Sequence, residues 1–384
     1  MEIDLNTLKT FVFLIRNAVT NNSLPNNLEL NIKKIYALSK KHDLAHIVFY
    51  AVLKEGLINA DNEDYSKLNK IILAAISRYK QQDHELNRIR NCFQKESINF
   101  VPLKGSIIRD YYPEPWMRSS CDLDILVHEE DLNKASNSLL SLGYTTNGVR
   151  NYHDISFFLN NVHVELHFNI CENNKQFDSV LRDVWDNVEK FVGYELRESS
   201  AYFMFHHVAH MAYHFLSGGC GVRPVLDLWI LRKKYQYDEK LLFVFLDRCH
   251  LVPFYNNMCL LSEIWFGKEK HNETTLKIEQ YIMDGGLYGT SEKAATSGIA
   301  LHKGNRLNYK LSIVFPSYES MCNMYPSLKK HKILLPFCYI NRVFAKAFGK
   351  KGKQARKRAN AIDNASKKEI KEFALLIDEL GLKG

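Results

Sequence analysis

The chain has 384 residues, a formal net charge of +8 at neutral pH and a hydrophobic fraction of 46%. This length can bury a substantial core and accommodate two or three domains. No apolar run approaches the roughly 20 residues that a membrane-spanning helix requires, and the acidic residues Glu2 and Asp4 disfavour a signal peptide. The eight cysteines form no CxxC pair, which is typical of reduced thiols in a cytoplasmic protein.

Positive charge is concentrated toward the C-terminus. Residues 301–384 contain 18 Lys and Arg but 6 Asp and Glu, a net +12 that leaves −4 for residues 1–300. A basic region of this kind attracts phosphate-rich partners, so we expect an anionic partner here, either nucleic acid or a membrane surface. A solvated, partly disordered basic segment explains the same composition equally well.

Residues 4–98 have the periodicity of helices. Apolar residues recur at helical spacing at Leu44, Ile47, Val48, Ala51 and Val52, and again at Leu86, Ile89 and Phe93. Asp43 is placed to cap a helix that begins at Leu44. We therefore predict an N-terminal helical region over residues 1–98.

Residues 99–198 alternate between strand and helix patterns. A short apolar strand precedes Gly105, and a helical apolar face over residues 132–142 is followed by Gly143 as a stop. Two alternating runs, 155–159 and 162–168, are joined at Asn160-Asn161 and predict a β-hairpin. The fold class predicted is α+β (mixed α/β), with a small mixed sheet in this domain and helical regions on both sides.

Helical periodicity returns from Ser199 and predicts a C-terminal helical region over residues 199–345. The expected helices cover 200–216, 224–235, 239–249 and 253–265, and the polar stretch 287–305 is expected to interrupt the pattern. Residues 346–384 are predicted as a basic linker and a terminal helix near 367–380. For the segment from Lys346 to Arg358 a solvated helix is the alternative to a mobile linker.

Asp122 and Asp124 are the most informative residues of the chain. Side chains alternate along a strand, so two carboxylates two residues apart share one face while Leu123 and Ile125 point into a core. Like charges on a half-buried face repel, and a divalent cation between them removes that cost. The alternative is a solvent-facing acidic strand end.

Glu165 offers a third carboxylate from a later strand. In the run from Val162 to Phe168 the apolar residues form one face, and His163, Glu165 and His167 form the other. A Gly-Ser turn, an Asp-x-Asp pair and a lone Glu on a later strand form the layout of a two-metal nucleotidyl-transfer site. Glu165 is then a metal ligand or the base for an acceptor hydroxyl.

The turn before the acidic strand is a candidate phosphate site. Gly105 lets a backbone approach a ligand closely, and Gly105 and Ser106 are predicted to contact phosphate oxygens through N–H and hydroxyl groups. Lys104 and Arg118 are cations suited to the same oxygens. Each of these two charges is equally consistent with an ordinary surface residue.

A histidine-rich helix adds candidate cleft residues. His206, His210 and His214 lie at i, i+4 and i+8, but no Glu sits between them as in HExxH and no obvious carboxylate or thiol completes a zinc site, so packing or substrate contact is the preferred interpretation. Arg223 and Asp227, four residues apart, either pair with each other or line a cleft. The predicted substrate-cleft residues are His167, His210, Arg223 and Asp227.

The segments Leu103-Lys104-Gly105, Arg118, Asp122-Leu123-Asp124 and Val164-Glu165-Leu166-His167 together resemble the uncharacterised nucleotidyltransferase family of bacteria, within the polymerase-β-like nucleotidyltransferase superfamily. The likeness continues through His206, His210, Gly221-Val222-Arg223-Pro224, Asp227, Phe315-Pro316-Ser317, Leu334-Leu335-Pro336-Phe337 and Arg342. It covers residues 40–345. Fifteen residues separate Ser106 from Asp122, more than the superfamily's usual spacing, so we expect a remodelled approach to the site.

The resemblance implies a Mg²⁺-dependent (or Mn²⁺-dependent) enzyme that moves an NMP group from an NTP to an acceptor hydroxyl and releases pyrophosphate. It implies a sugar, a phosphosugar or a peptide as the acceptor. Two alternatives remain open: an RNA- or protein-modifying nucleotidyltransferase that uses the basic C-terminal part as its platform, and a non-catalytic nucleotide-binding or scaffold protein.

Overall fold

A computed structural model describes residues 4–287, 289–348 and 352–383. Within them, one seven-stranded mixed sheet is covered by helices on both faces. The predicted α+β class is therefore confirmed. The described strands lie between Phe100 and Glu198, but the division of the chain at residues 98, 198 and 345 stays a prediction.

Four helices precede the sheet: α1 (Leu5–Thr20), α2 (Ile32–Lys41), α3 (Ala45–Lys54) and α4 (Glu63–Lys95). The side chains of Asp4 and Asn62 accept backbone N–H bonds and cap α1 and α4. The first part of α4 packs in the helical core through Leu68 and Ile72. Its last part covers the sheet through Ile89 and Phe93.

Asp43 does not cap α3, so that prediction was wrong. Leu44 occupies the N-cap position of this helix, and no side chain accepts a capping hydrogen bond there. Asp43 has a positive φ of 54°, and its Oδ2 accepts bonds from Arg223 Nη1 at 3.1 Å and Ser119 Oγ at 3.3 Å. Long-range partners outcompete the local cap.

The strands are β1 (Phe100–Pro102), β2 (Leu123–Val127), β3 (Thr145–Arg150), β4 (Asp154–Leu159), β5 (Val162–His167), β6 (Val188–Val192) and β7 (Glu195–Glu198). Their order in the sheet is β3-β4-β5-β2-β1-β7-β6. The pairs β2–β5 and β1–β7 are parallel, and the other neighbours are antiparallel. The helices between strands are α5 (Lys104–Ile108), α6 (Leu132–Ser141) and α7 (Lys175–Leu181).

The alternation predicted for β2 and β5 is confirmed, as is the hairpin β4–β5. Leu123 and Ile125 are fully buried and pack with Val164 and Leu166 under α4 and α6. The opposite face of the same two strands carries the acidic residues. Burial of the apolar face thus decides which way the carboxylates point.

The C-terminal helices are α8 (Ser200–Leu216), α9 (Arg223–Lys234), α10 (Glu239–Arg248), α11 (Val252–Phe266), α12 (Glu273–Gly285), α13 (Ser291–Leu301), α14 (Arg306–Val314), α15 (Tyr318–Met324), α16 (Ser327–Lys330), α17 (Leu335–Phe348), α18 (Gly352–Asn364) and α19 (Lys367–Glu379). The five helices predicted here match α8–α11 and α19. Core residues from the N-terminal and C-terminal helices, among them Phe11, Phe254 and Phe373, belong to one apolar cluster.

Two segments of the C-terminal part differ from expectation. The stretch 287–305 contains α13, which Thr290 caps by accepting from the Lys293 N–H. Residues 352–364 form α18, the alternative to a linker, while the predicted linker residues 349–351 lie outside the described residues. Ala361 and Ile362 are buried in the main core, and packing at these two residues holds a helix that its charge pattern disfavours.

None of the helices in the part of the chain that the structure describes is both long enough and apolar enough to cross a membrane.

Candidate active site

A cavity of about 360 Å³ lies between the acidic face of the sheet and helices α8 and α9. Ten of the eleven predicted site residues line it: Lys104, Gly105, Arg118, Asp122, Asp124, Glu165, His167, His210, Arg223 and Asp227. Ser106 is buried beside it and does not reach the wall, and its N–H already donates to the carbonyl of Leu103.

The three carboxylates meet on one wall of the cavity. Because β2 and β5 are parallel neighbours, Asp124 is the register partner of Glu165. Asp122 immediately precedes β2 and shares the face of Asp124. Ligand atoms of Asp122, His163 and Glu165 lie within 4.8 Å of one another, and so do those of Asp124, Glu165 and His167. Glu165 belongs to both groups, so the two sets of donors are adjacent.

Proximity shifts the pKa values of this wall. Burial, and then the charges of Asp124 and Glu165, raise the pKa of Asp122 to about 6. Burial also acts to raise the pKa of Asp124, but hydrogen bonding to His167 and its charge lower it to about 2. His167 thus balances the negative charge of Asp124, whereas Asp122 faces mainly other carboxylates.

His167 supplies the positive charge that the carboxylates face. Its Nε2 lies 3.3 Å from Asp124 Oδ1 and 3.6 Å from Glu165 Oε2. Burial opposes protonation, yet the bonds to these two carboxylates raise the pKa of His167 to about 10. A cation bound by the carboxylates has to compete with this imidazolium.

Cations line the cavity near α5. Burial lowers the pKa of Lys104 to about 8, against the charges of Glu172 and Asp124 that act to raise it. A Cβ added at Gly105 would lie 3.4 Å from Ser120 Oγ and 3.6 Å from Arg118 Nη1. The backbone at Gly105 therefore lies against the loop that leads to Asp122.

Arg118 is held by Asp227. Its Nη2 lies 3.0 Å from Asp227 Oδ2, its Nε donates to the same carboxylate, and Tyr112 Oη donates to Asp227 Oδ1 at 2.6 Å. Asp227 is fully buried. Arg223 pairs with Asp43 instead, so the predicted alternative of an Arg223–Asp227 pair was wrong, whereas both residues do line the cavity.

The facing wall is made of histidines from α8. His210 Nδ1 donates to Glu172 Oε1 at 2.6 Å, and this leaves its Nε2 to accept from His214 Nε2 at 2.9 Å. His206 Nδ1 lies 2.7 Å from Glu198 Oε1, with both side chains buried. Burial lowers the pKa of His206, His210 and His214. Among the described residues no group of three metal-binding side chains forms along this helix.

A family model described as uncharacterised nucleotidyltransferase matches residues 29–267. The chain belongs to this family. The matched range contains the whole sheet, helices α8 and α9 and every residue that lines the cavity except Leu287. Membership places the protein in the nucleotidyltransferase class and implies an NTP substrate.

The family match ends before Phe315, so the likeness of residues 315–342 to later family segments stays a prediction. A comparison with curated proteins and one with solved structures gave no match.

Ser120 and Glu172 line this nucleotidyltransferase cavity, and sequence reasoning missed both of them. Ser120 donates from Oγ to Asp122 Oδ1 at 3.0 Å, but it lies in the loop before β2, where strand alternation gives no signal. Glu172 orients His210 from a loop that follows β5. Nothing in the local pattern of residues 169–174 distinguishes Glu172 from a surface acid, because its partner is 38 residues away.

Proposed function

We propose that the protein is a Mg²⁺-dependent or Mn²⁺-dependent nucleotidyltransferase that moves an NMP group from an NTP to an acceptor hydroxyl and releases pyrophosphate. The observation that carries the proposal is the pairing of Asp124 with Glu165 on adjacent parallel strands, with Asp122 beside them. Three carboxylates in a half-buried cleft are costly unless positive charge joins them.

The donor set suits a hard divalent cation. Asp122, Asp124 and Glu165 offer carboxylate oxygens, the ligands that Mg²⁺ prefers. His163 adds a nitrogen donor beside Asp122 and Glu165, which Mn²⁺ accepts more readily. A cation held here supplies charge neutralisation for the triphosphate and the attacking oxygen.

Binding of the triphosphate is assigned to the cations near α5. Lys104 reaches the cavity from the first turn of α5, and Arg118 presents its guanidinium beside Gly105. Because Asp227 neutralises Arg118, we assign Arg118 to shaping the phosphate pocket and Lys104 to contacting phosphate oxygen. We keep the predicted phosphate contact for Gly105, which lines the cavity, and withdraw it for Ser106, which does not.

The acceptor is placed on the histidine wall. Glu172 fixes the His210 ring so that Nε2 is the proton acceptor. An acceptor hydroxyl that displaces the His214 N–H from His210 Nε2 loses its proton to that nitrogen. Its oxygen bonds to the α-phosphorus, and the bond from that phosphorus to the pyrophosphate oxygen breaks, with the electron pair leaving on pyrophosphate. Glu165 then acts as a metal ligand rather than as the base. We keep a sugar, phosphosugar or peptide hydroxyl as the acceptor, which is the class that the family resemblance implies.

The direct test incubates the protein with each of the four NTPs, Mg²⁺ or Mn²⁺, and candidate acceptors, and measures pyrophosphate release and the mass of any adduct. Asp124→Asn is the inactive variant, and Glu130→Gln, an exposed acid on the same segment, is the matched control. Product on RNA or protein in place of a small acceptor selects the RNA- or protein-modifying alternative. NTP binding without turnover on any acceptor supports a non-catalytic nucleotide-binding protein and contradicts the proposal.

A further inference from the structure

An exposed apolar face lies on α17 and the turn before it. Ile333, Phe337 and Ile340 expose 83%, 67% and 54% of their surface. Their spacing of four and three residues puts them on one side of a helix. We call these three residues, Ile333, Phe337 and Ile340, the apolar face.

Packing on the other side of α17 fixes the direction of this face. Leu335, Cys338 and Tyr339 pack against a small core formed by Met321, Cys322 and Leu328. Arg342 Nη2 donates to the carbonyl of Ile313 at 3.2 Å. The helix is therefore held by one side, and the apolar face points away from the protein.

The sequence around the apolar face is basic and contains no acid. From Ser320 to Ile362 there are 11 Lys and Arg and no Asp or Glu. Lys330 and Lys332, both exposed, directly precede Ile333 in the chain. Large apolar side chains bordered by cations are the pattern of elements that lie in the interface of an anionic bilayer.

We infer that the apolar face and its basic surroundings dock this protein on an anionic lipid bilayer. Ile333, Phe337 and Ile340 enter the boundary between headgroups and acyl chains, and the neighbouring lysines contact anionic headgroups. A second copy of the chain fits poorly because it would bring this net positive segment against itself. Nucleic acid fits poorly because two of the three side chains, Ile333 and Ile340, are aliphatic and cannot stack on a base as aromatic rings do.

The test uses the full chain and vesicles in a flotation assay. One set is pure phosphatidylcholine, and the other contains phosphatidylglycerol at about a third of the lipid, the anionic component that the charge argument requires. We expect binding to the anionic vesicles, weakened in 1 M salt, where the Debye length falls to about 3 Å. The triple variant Ile333→Ser, Phe337→Ser, Ile340→Ser keeps every charge and should partition at least about tenfold less, because three large apolar side chains no longer enter the bilayer.

A matched control removes three exposed apolar side chains elsewhere: Leu73→Ser, Val244→Ser and Leu276→Ser, which are 55%, 54% and 51% exposed. It should bind vesicles like the unaltered protein, and thermal unfolding of both triple variants verifies that they fold. Equal binding to both vesicle types, equal binding by the two triple variants, or no vesicle binding overturns the inference. Binding to a mixed-sequence RNA without vesicle binding, or dimerisation through α17 without it, overturns it as well.

Discussion

Asp124 and Glu165, 41 positions apart in the chain, are register partners on two neighbouring parallel strands. The hydrogen-bonded pairing of β2 with β5 places their carboxylates on one wall of the cavity, and His167 Nε2 lies between them at 3.3 and 3.6 Å. This relationship makes the site an acidic cleft with an internal countercharge, and it sets the expectations for the acidic residues.

Replacing Asp122 should stabilise the metal-free fold and weaken metal-dependent NTP binding. Asp122→Asn relieves repulsion from Asp124 and Glu165 while its Oδ1 can still accept from Ser120, so the metal-free protein should gain about 1 kcal/mol in unfolding free energy. The same variant should lose Mg²⁺-dependent NTP binding in calorimetry. Glu130→Gln serves as control. A variant that binds NTP in Mg²⁺ as tightly as the unaltered protein would show that Asp122 is no ligand.

Replacing Glu165 should affect turnover more than NTP affinity. Glu165→Gln removes a donor shared by both clusters, and we expect a loss of kcat on the order of 10²–10⁴-fold. Ser156→Ala, the register partner of Glu165 on β4, is the control for changes on this sheet face. Steady-state pyrophosphate release gives both parameters. An equal loss in the Ser156 variant would point to sheet distortion instead of a missing ligand.

Glu172 and His210 should act as one unit. Glu172→Gln and His210→Gln each remove part of the Glu172–His210 bond of 2.6 Å, and each should lower kcat by about 10²-fold, the lower end for a general base. The double variant should be no slower than His210→Gln alone, because the carboxylate works through the ring. Multiplicative losses in the double variant are the result that this model forbids.

Removing one partner of the buried pair Arg118–Asp227 should cost more unfolding free energy than removing both. Asp227→Asn leaves the Arg118 guanidinium without its countercharge in a buried site, and we expect a loss of about 3 kcal/mol in urea unfolding. The double variant Arg118→Gln, Asp227→Asn should recover part of this loss since no uncompensated charge remains. A double variant less stable than Asp227→Asn would contradict the argument.

Acid should destabilise the fold through buried neutral histidines. Burial lowers the pKa of His207 to about 4, and its Nε2 donates to the carbonyl of Pro224 at 3.0 Å. For a base whose folded pKa is depressed, stability is complete above the unfolded value near 6.5 and falls as the pH drops toward 4. Between pH 7.5 and 5.5 the free energy of unfolding of His207→Gln should therefore fall by about 1 kcal/mol less than that of the unaltered protein.

Unfolding in urea at several pH values measures this difference. His84→Gln, at an exposed position of α4, should leave the pH dependence of stability unchanged. The same slope in the His207 and His84 variants would assign the acid sensitivity to other groups.

Local patterns were enough to predict much of this protein. The alternation around Asp122 and Glu165 determined which side chains share a face, because the period of a strand is a property of the backbone. The same periodicity predicted the hairpin β4–β5 and helices α8–α11 to within one or two residues. These features depend on short-range geometry and on burial of one face.

The tertiary structure alone decided the partners. Arg118 pairs with Asp227 across 109 residues and Arg223 with Asp43 across 180, and neither distance leaves a local signal. Glu172 became part of the cavity because the loop after β5 packs beneath α8. Helices α13 and α18 form because residues such as Ile299 and Ile362 are buried in the main apolar core. Packing between distant segments, rather than propensity within one segment, chooses among the states that the sequence leaves open.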